Sequence, residues 1–435
     1  MRESLPAWPV VLPLLGALLC VLLGKRWPWA RRAACVLGYG GAFLVALESL
    51  LRLVQGGVLR VSLGGWAPPW GLEANLDASR AGALAAAAVA LGAAHFLRES
   101  TPGGDDPWEA PYTGALRLAV LAALAASVAV DDALARFGAF QMAALAEAGL
   151  LVRAGSVRSA FKGLMRVSAG SALYLAGAGL MFARTGTFHL EGWAGRLASD
   201  GPVPHAPECL VLILFGCLFM AWPFGGTTSA DVAVLPERIW RSRLFLWQGA
   251  DMVYRVFHLS PDAEIVRLGS WILFLLFLIP IWTTFGKDRP LDRLSAASLM
   301  LLPALAPGDP GLFLWAAAAQ AWALTLIAPA APDTPEAVKG TLHRRVLPLL
   351  AAGGAALALA GVPPTSGFPP VWEALRALRS APSIWMFGQA AVLGLLGFTS
   401  LKVVWGRTDT GEEAEAWRWV LFLGTALGGI MVWIL

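Results

Sequence analysis

Charge is what this chain has least of. Lys, Arg, Asp and Glu together make up 14% of its 435 residues, where a soluble domain carries about 25%. That shortage, with 57% hydrophobic residues and a mean hydropathy of +0.64, excludes an ordinary water-soluble fold and predicts a polytopic membrane protein. Cysteine is also scarce. Cys20, Cys35, Cys209 and Cys217 lie in apolar runs without CxxC spacing, so disulfides, Fe–S clusters, haem attachment and zinc ribbons are not expected. The five histidines are scattered and make no metal constellation. No glycine-rich nucleotide loop of the strand–turn–helix kind and no Ser–His–Asp set occurs, so neither cofactor nor catalytic chemistry is expected in this chain. The net charge of +4 resides in short loops and calls for no nucleic acid.

Long apolar runs are what the chain does have. A bilayer core takes about 20 apolar residues per helix. Runs between charged or Pro/Gly breaks fall near 7–24, 33–52, 79–97, 111–130, 133–153, 159–183 and 207–223. They continue near 243–259, 268–285, 293–306, 311–329, 346–362, 382–402 and 416–435, fourteen spans in all. The first, "AWPVVLPLLGALLCVLLG", ends in "KRWPWARR" rather than in small residues, so no cleaved signal peptide is expected. Loops after odd-numbered spans are basic, as in Lys25, Arg26, Arg31 and Arg32, in Arg153 and Arg158, and in Lys339, Arg344 and Arg345. Even-numbered loops are poorer, one of them being Asp131 and Asp132. The positive-inside rule then puts both termini on the outer side. The polar connection at 183–208 is too short for a soluble domain.

Several stretches resemble one family, the antiporter-like membrane subunits of respiratory complex I, Mrp cation/proton antiporters and membrane-bound hydrogenases. "GGWAPPWGLEANLDASRAGAL" from Gly64 is similar to the family's external loop and the start of its third span. "FMAWPFGG" from Phe219 resembles the broken seventh span, "DMVYRVFHLSP" from Asp251 the eighth, and "LDRLSAASLMLL" from Leu291 the tenth. "GVPPTSGF" from Gly361 resembles the G-x-P-P-x-x-G-F break of the twelfth span. On the residues alone this last stretch reads equally as a loop between helices; the resemblance favours the break.

The resemblance implies an all-α integral membrane protein of about fourteen transmembrane helices. It further implies two inverted repeats, helix breaks at Pro223, Pro363 and Pro364, and both termini outside. The whole chain, 1–435, is expected to be one membrane domain. It divides into first helices and external loop (1–110), two antiporter-like halves (111–259 and 260–405) and a C-terminal helix (406–435). Proline removes a backbone donor and interrupts a helix, and broken helices at mid-membrane recur in ion transporters.

The family conducts protons through buried acids and lysines, and such groups in a membrane mark a pathway. Carried over by motif, those positions fall on Gln141, Leu218, Ala250, Leu302 and Val371. None of the five titrates. The fold signal is therefore present while the pump signal is missing. Candidates for a remaining ion path are Glu147, Asp251, Arg255, Glu373 and Lys162. Asp251 and Arg255 suit an intrahelical pair or a replacement conduction element. Lys162, with Arg166, suits an interfacial anchor, and Glu373 a partner for Arg376.

The resemblance implies a membrane subunit of a proton- or cation-translocating assembly in the cytoplasmic membrane of a prokaryote. Its pathway would be degenerate and its role one of docking. Its partners would be other antiporter-like or membrane subunits, the lipid bilayer and protons or monovalent cations, and any NADH:quinone oxidoreductase or hydrogenase chemistry would belong to the complex. Two alternatives stay open: an active antiporter using Glu147, Asp251 and Glu373, and the membrane partner of an inorganic-carbon uptake complex.

Overall fold

The computed structural model describes residues 5–53, 58–63, 71–99, 110–199 and 206–221. Asp251, Arg255, Glu373, Ala250, Leu302, Val371, Pro223, Pro363 and Pro364 lie outside them.

Eight α-helices and one two-stranded sheet make up the described part. A short 3-10 turn leads into α1 (Trp8–Leu23), followed by α2 (Pro28–Leu53), β1 (Leu59–Leu63), β2 (Leu72–Leu76) and α3 (Ala78–Glu99). Then come α4 (Ala110–Ala129), α5 (Ala133–Arg153), α6 (Val157–Thr185), α7 (Leu190–Ser199) and α8 (Ala206–Ala221). Every apolar run read from the sequence up to residue 221 is a helix, displaced by at most a few residues. Five of the helices are long and apolar enough to cross a membrane. The antiparallel hairpin, in register Leu59↔Leu76 to Leu63↔Leu72, and α7 are additions to the expected all-helical pattern.

The turns are short because the sequence supplies their stops. Gly155 and Gly186 both adopt φ 72°, a left-handed conformation that glycine takes without penalty, and they end α5 and α6. The Asp132 side chain accepts from the Ala135 N–H at 2.8 Å, capping the start of α5 where helix donors would otherwise be orphaned. Such tight connections make successive helices antiparallel. One end of the bundle therefore gathers the hairpin, the α4–α5 turn and the α6–α7 connection. The opposite end gathers the α1–α2 and α5–α6 turns.

Small residues set the spacing of the helices. A Cβ on Gly216 of α8 would stand 2.5 Å from the backbone nitrogen of Tyr174 in α6, and one on Gly177 would stand 2.7 Å from the Cys209 carbonyl oxygen. A Cβ on Gly16 of α1 would lie 2.7 Å from the Ala34 carbonyl oxygen in α2. Lipid tails are as apolar as leucine, so helices in a bilayer associate through this close backbone packing rather than through the hydrophobic effect.

At the hairpin end the backbone is interlocked. Ala74 of β2 bridges Val130, and Asp132 bridges His189. Ala133 N–H donates to the Phe188 carbonyl and Leu190 N–H to the Asp131 carbonyl, each at 3.0 Å. Trp193 of α7 is fully buried and its indole donates to the Thr187 carbonyl at 2.7 Å. Within the polar connection at 183–208, α7 is thus pinned to the α4–α5 turn.

Candidate ion path and its buried polar clusters

Gln141, on which the resemblance sets the fifth-span relay position, lies on α5. Its amide donates to the Ser171 hydroxyl of α6, and Ser171 passes the bond on to the Val167 carbonyl at 2.6 Å. Where the family resemblance implies an acid, this chain therefore has a neutral side chain tied into a neutral chain of bonds. Leu218 lies on α8, one of the spans implied to carry a lysine.

Of the candidates for a remaining path, Glu147 is 5% exposed and lies six residues before the end of α5. Lys162 is exposed on α6, in keeping with an anchor at the membrane surface. Glu48 of α2 is exposed and pairs with Arg52 one turn on.

Two buried polar clusters escaped the sequence-based reading. The first is at the hairpin end. Asp131, 3% exposed, lies between Arg80 of α3 and Arg136 of α5, both fully buried. One carboxylate oxygen accepts from both guanidiniums, Arg136 at 3.0 Å. The other accepts from Asn75 of β2 at 3.0 Å and from Arg80 at 3.3 Å. Arg80 also donates to the Asn75 carbonyl at 2.6 Å, and Arg136 to the Val130 carbonyl. Charged bonds of this kind are roughly twice as strong as neutral ones, and here they join α3, α5, β2 and the α4–α5 turn. Beside them His189 stands 3.6 Å from Glu73.

The second cluster lies toward the opposite end and inside the spans. Arg117, seven residues into α4 and hence about 10 Å along it, donates to His95 Nδ1 of α3 at 3.0 Å. A guanidinium can only donate, so Nδ1 accepts and the ring proton sits on Nε2. Nε2 has no hydrogen-bond partner among the described residues. Tyr39 of α2 tilts against the imidazole with ring centroids 5.6 Å apart. Cys20 and Cys35, reduced, meet at 3.6 Å over Gly114, where a Cβ would sit 3.6 and 3.8 Å from their sulfurs. Among the described residues no group of three or more His, Cys, Asp or Glu could hold a metal ion.

A signal for the first cluster was present in the sequence. Arg80 and Arg136 both fall just inside spans at the end where loops are poor in cations, a placement that asks for a local acid. Nothing comparable points to the His95–Arg117 pair, whose members are far apart in the chain.

A bundle of helices long and apolar enough to cross a membrane, packed on glycine, defines the class as an integral membrane protein. Comparison with solved structures specifies the fold. The membrane-bound sulfane sulfur reductase, an archaeal respiratory membrane complex, superposes with a TM-score of 0.76 at 18% identity, over 99% of this chain and 94% of the other. The Mrp complex from Dietzia sp. DQ12-45-1b gives 0.70 at 19% identity, over 93% and 78%. Respiratory complex I from Thermus thermophilus with bound aureothin gives 0.63 at 17%, over 98% and 96%. In sequence, the NADH-quinone oxidoreductase subunit N of Desulforudis audaxviator (strain MP104C) is 26% identical over 275 residues, 60% of this chain. The match spans about half of that relative's length, 54%. No protein-family model matches the chain. The chain thus shares the fold of membrane subunits of these assemblies and resembles subunit N in sequence over part of its length.

Proposed function

We propose that the chain is a membrane subunit of a multisubunit proton- or cation-translocating assembly, in which it docks other subunits and does not conduct through the usual relay. The observation carrying this is Gln141. It occupies the fifth-span relay position and is held by Ser171, and neither side chain exchanges a proton at physiological pH. Fourteen spans in two inverted repeats, breaks at Pro223, Pro363 and Pro364, both termini outside and the domain limits given above complete the proposal. The setting is the cytoplasmic membrane of a prokaryote, with antiporter-like subunits as neighbours. Any redox chemistry belongs to those neighbours.

The test is made on the native assembly. Removing this chain should dissociate neighbouring subunits, whereas Gln141→Leu should leave both assembly and ion flux in proteoliposomes intact. Loss of flux with assembly preserved would overturn the docking role.

A second reading rests on Glu147, buried in the same helix as Gln141, since a carboxyl group within a membrane span is by default a pathway candidate. It makes the chain an active antiporter, with Asp251 and Glu373 as further carriers. Glu147→Gln would then abolish flux while Gln141→Leu would not.

A further inference from the structure

A groove between α1, α4 and α5 has the polarity of a single amphiphile. It encloses about 530 Å³ between α1, α4 and the end of α5, and is lined by Ala17, Leu18, Val21, Ala115, Leu116 and Ala119, with Tyr112 and Arg153 at one end. That volume falls within the usual range of small-molecule sites, about 300–1,000 Å³. The alanines of α1 and α4 leave the floor low, and Leu18 and Val21 stand exposed along its wall. At the mouth the Arg153 guanidinium lies 5.4 Å from the centre of the Tyr112 ring and donates to the Thr113 hydroxyl at 3.3 Å. The Arg153 side chain is therefore held over the groove rather than left to wander.

The level of this mouth in the bilayer follows from the topology. Arg153 is the last residue of α5 and Tyr112 the third of α4, so both stand at the end of the bundle that holds the α1–α2 turn. That turn carries Lys25 and Arg26, and beside them Trp27 and Trp29 are exposed. Tryptophan and tyrosine gather at the headgroup level of a membrane. Basic pockets between helices at that level attract anionic headgroups.

We propose that this groove is a binding site for one anionic phospholipid. Arg153 donates to the phosphodiester oxygens, with Lys25 and Arg26 adding to the local positive field. Tyr112 stands at the glycerol level, and an acyl chain runs past Val21 and Leu18 over Ala115 and Ala119. The site is independent of whether the chain conducts ions. It requires only the membrane-spanning bundle, so its failure would leave the proposed function untouched.

The experiment uses the native assembly in nanodiscs of phosphatidylcholine doped with phosphatidylglycerol, and native mass spectrometry counts lipid retained after a detergent wash. Phosphatidylglycerol should be retained over phosphatidylcholine. Arg153→Gln should lower its retention about fivefold, the effect of one cation near a membrane surface, while Arg153→Lys should keep most of it. Ala119→Phe, which fills the floor without touching charge, should also release the lipid. Only assemblies eluting like the wild type are compared; should Arg153→Gln not assemble, the Lys and Phe variants decide. Equal retention of the two lipids overturns the proposal, as does undiminished phosphatidylglycerol in Ala119→Phe. So does loss of a neighbouring subunit from Ala119→Phe with lipid unchanged, which would assign the groove to a protein helix.

Discussion

The bundle buries charge at both of its ends, and the two ends solve the problem differently. At the hairpin end Asp131 is held by two arginines and an asparagine, and the set ties together β2, α3, α5 and the α4–α5 turn. Toward the other end Arg117 bonds a neutral imidazole on the neighbouring helix, beside two thiols and a phenol. The first arrangement sits at helix ends, where the backbone is already irregular and needs fastening. Its carboxylate satisfies the arginines directly, so it acts as a latch. The second lies inside the spans, where polar groups are expensive, and it joins only adjacent helices. Charge at the hairpin end is thus structural by its wiring, whereas the His95–Arg117 bond links one helix to its neighbour.

That contrast is broken most forcefully at Asp131. Replacing it with Leu takes the buried carboxylate from two buried guanidiniums, leaving Arg80 with Asp77 at 3.6 Å, and removing one member of a buried ion pair costs about 3–5 kcal/mol. Thermal unfolding of the purified chain in detergent should show a large destabilisation, with protease sensitivity rising first in the α6–α7 connection, whose Leu190 N–H bonds the Asp131 carbonyl. A shift no larger than that of an exposed charge would mean that the latch holds nothing. His95→Leu is the matching change at the opposite end. It removes one acceptor from Arg117, and polar contacts between membrane helices are worth about 1–2 kcal/mol at most. The same scan should therefore move clearly less than for Asp131→Leu. An equal shift would erase the distinction between latch and local pair.

Why one end was partly legible in advance and the other was not follows from sequence distance. The five described helices long enough to cross a membrane announce themselves as apolar runs, because a bilayer demands about 20 such residues whatever the tertiary fold. The α5 cap was equally local, since Asp132 and Ala135 are three residues apart. Arg80 and Asp131, however, are 51 residues apart, and no local pattern links them. The hairpin was hidden for another reason. Its strands are only five residues each and flank the glycine- and proline-rich stretch from Gly64, which reads as loop. The relay positions expected at Gln141 and Leu218 rest only on the resemblance to the family's motifs. The structure then adds what motifs cannot, namely that Gln141 is bonded to Ser171 on the next helix.

That neutral bond gives the next smaller effect. Gln141→Leu removes one hydrogen bond between α5 and α6, and double-mutant values for such bonds in membranes average about 0.6 kcal/mol. Thermal stability should fall slightly, by less than for His95→Leu. A loss rivalling Asp131→Leu would show that Gln141 is a structural keystone between α5 and α6.

The weakest expected effect returns to the hairpin end, outside its buried core. Arg60 of β1 donates to both carboxylate oxygens of Glu191 on α7, at 2.8 and 3.3 Å, a paired geometry that looks as binding as the one around Asp131. The difference is solvent: both side chains are about half exposed, so water screens the charges and competes for the bonds. Exposed pairs contribute about 0.2–1 kcal/mol, and Arg60→Ala should shift the unfolding temperature within that small range, less so at high salt. If Arg60→Ala instead matched Asp131→Leu, burial would not be what separates latch from ornament, and the stability of this end would have to come from the hairpin–α7 contact itself.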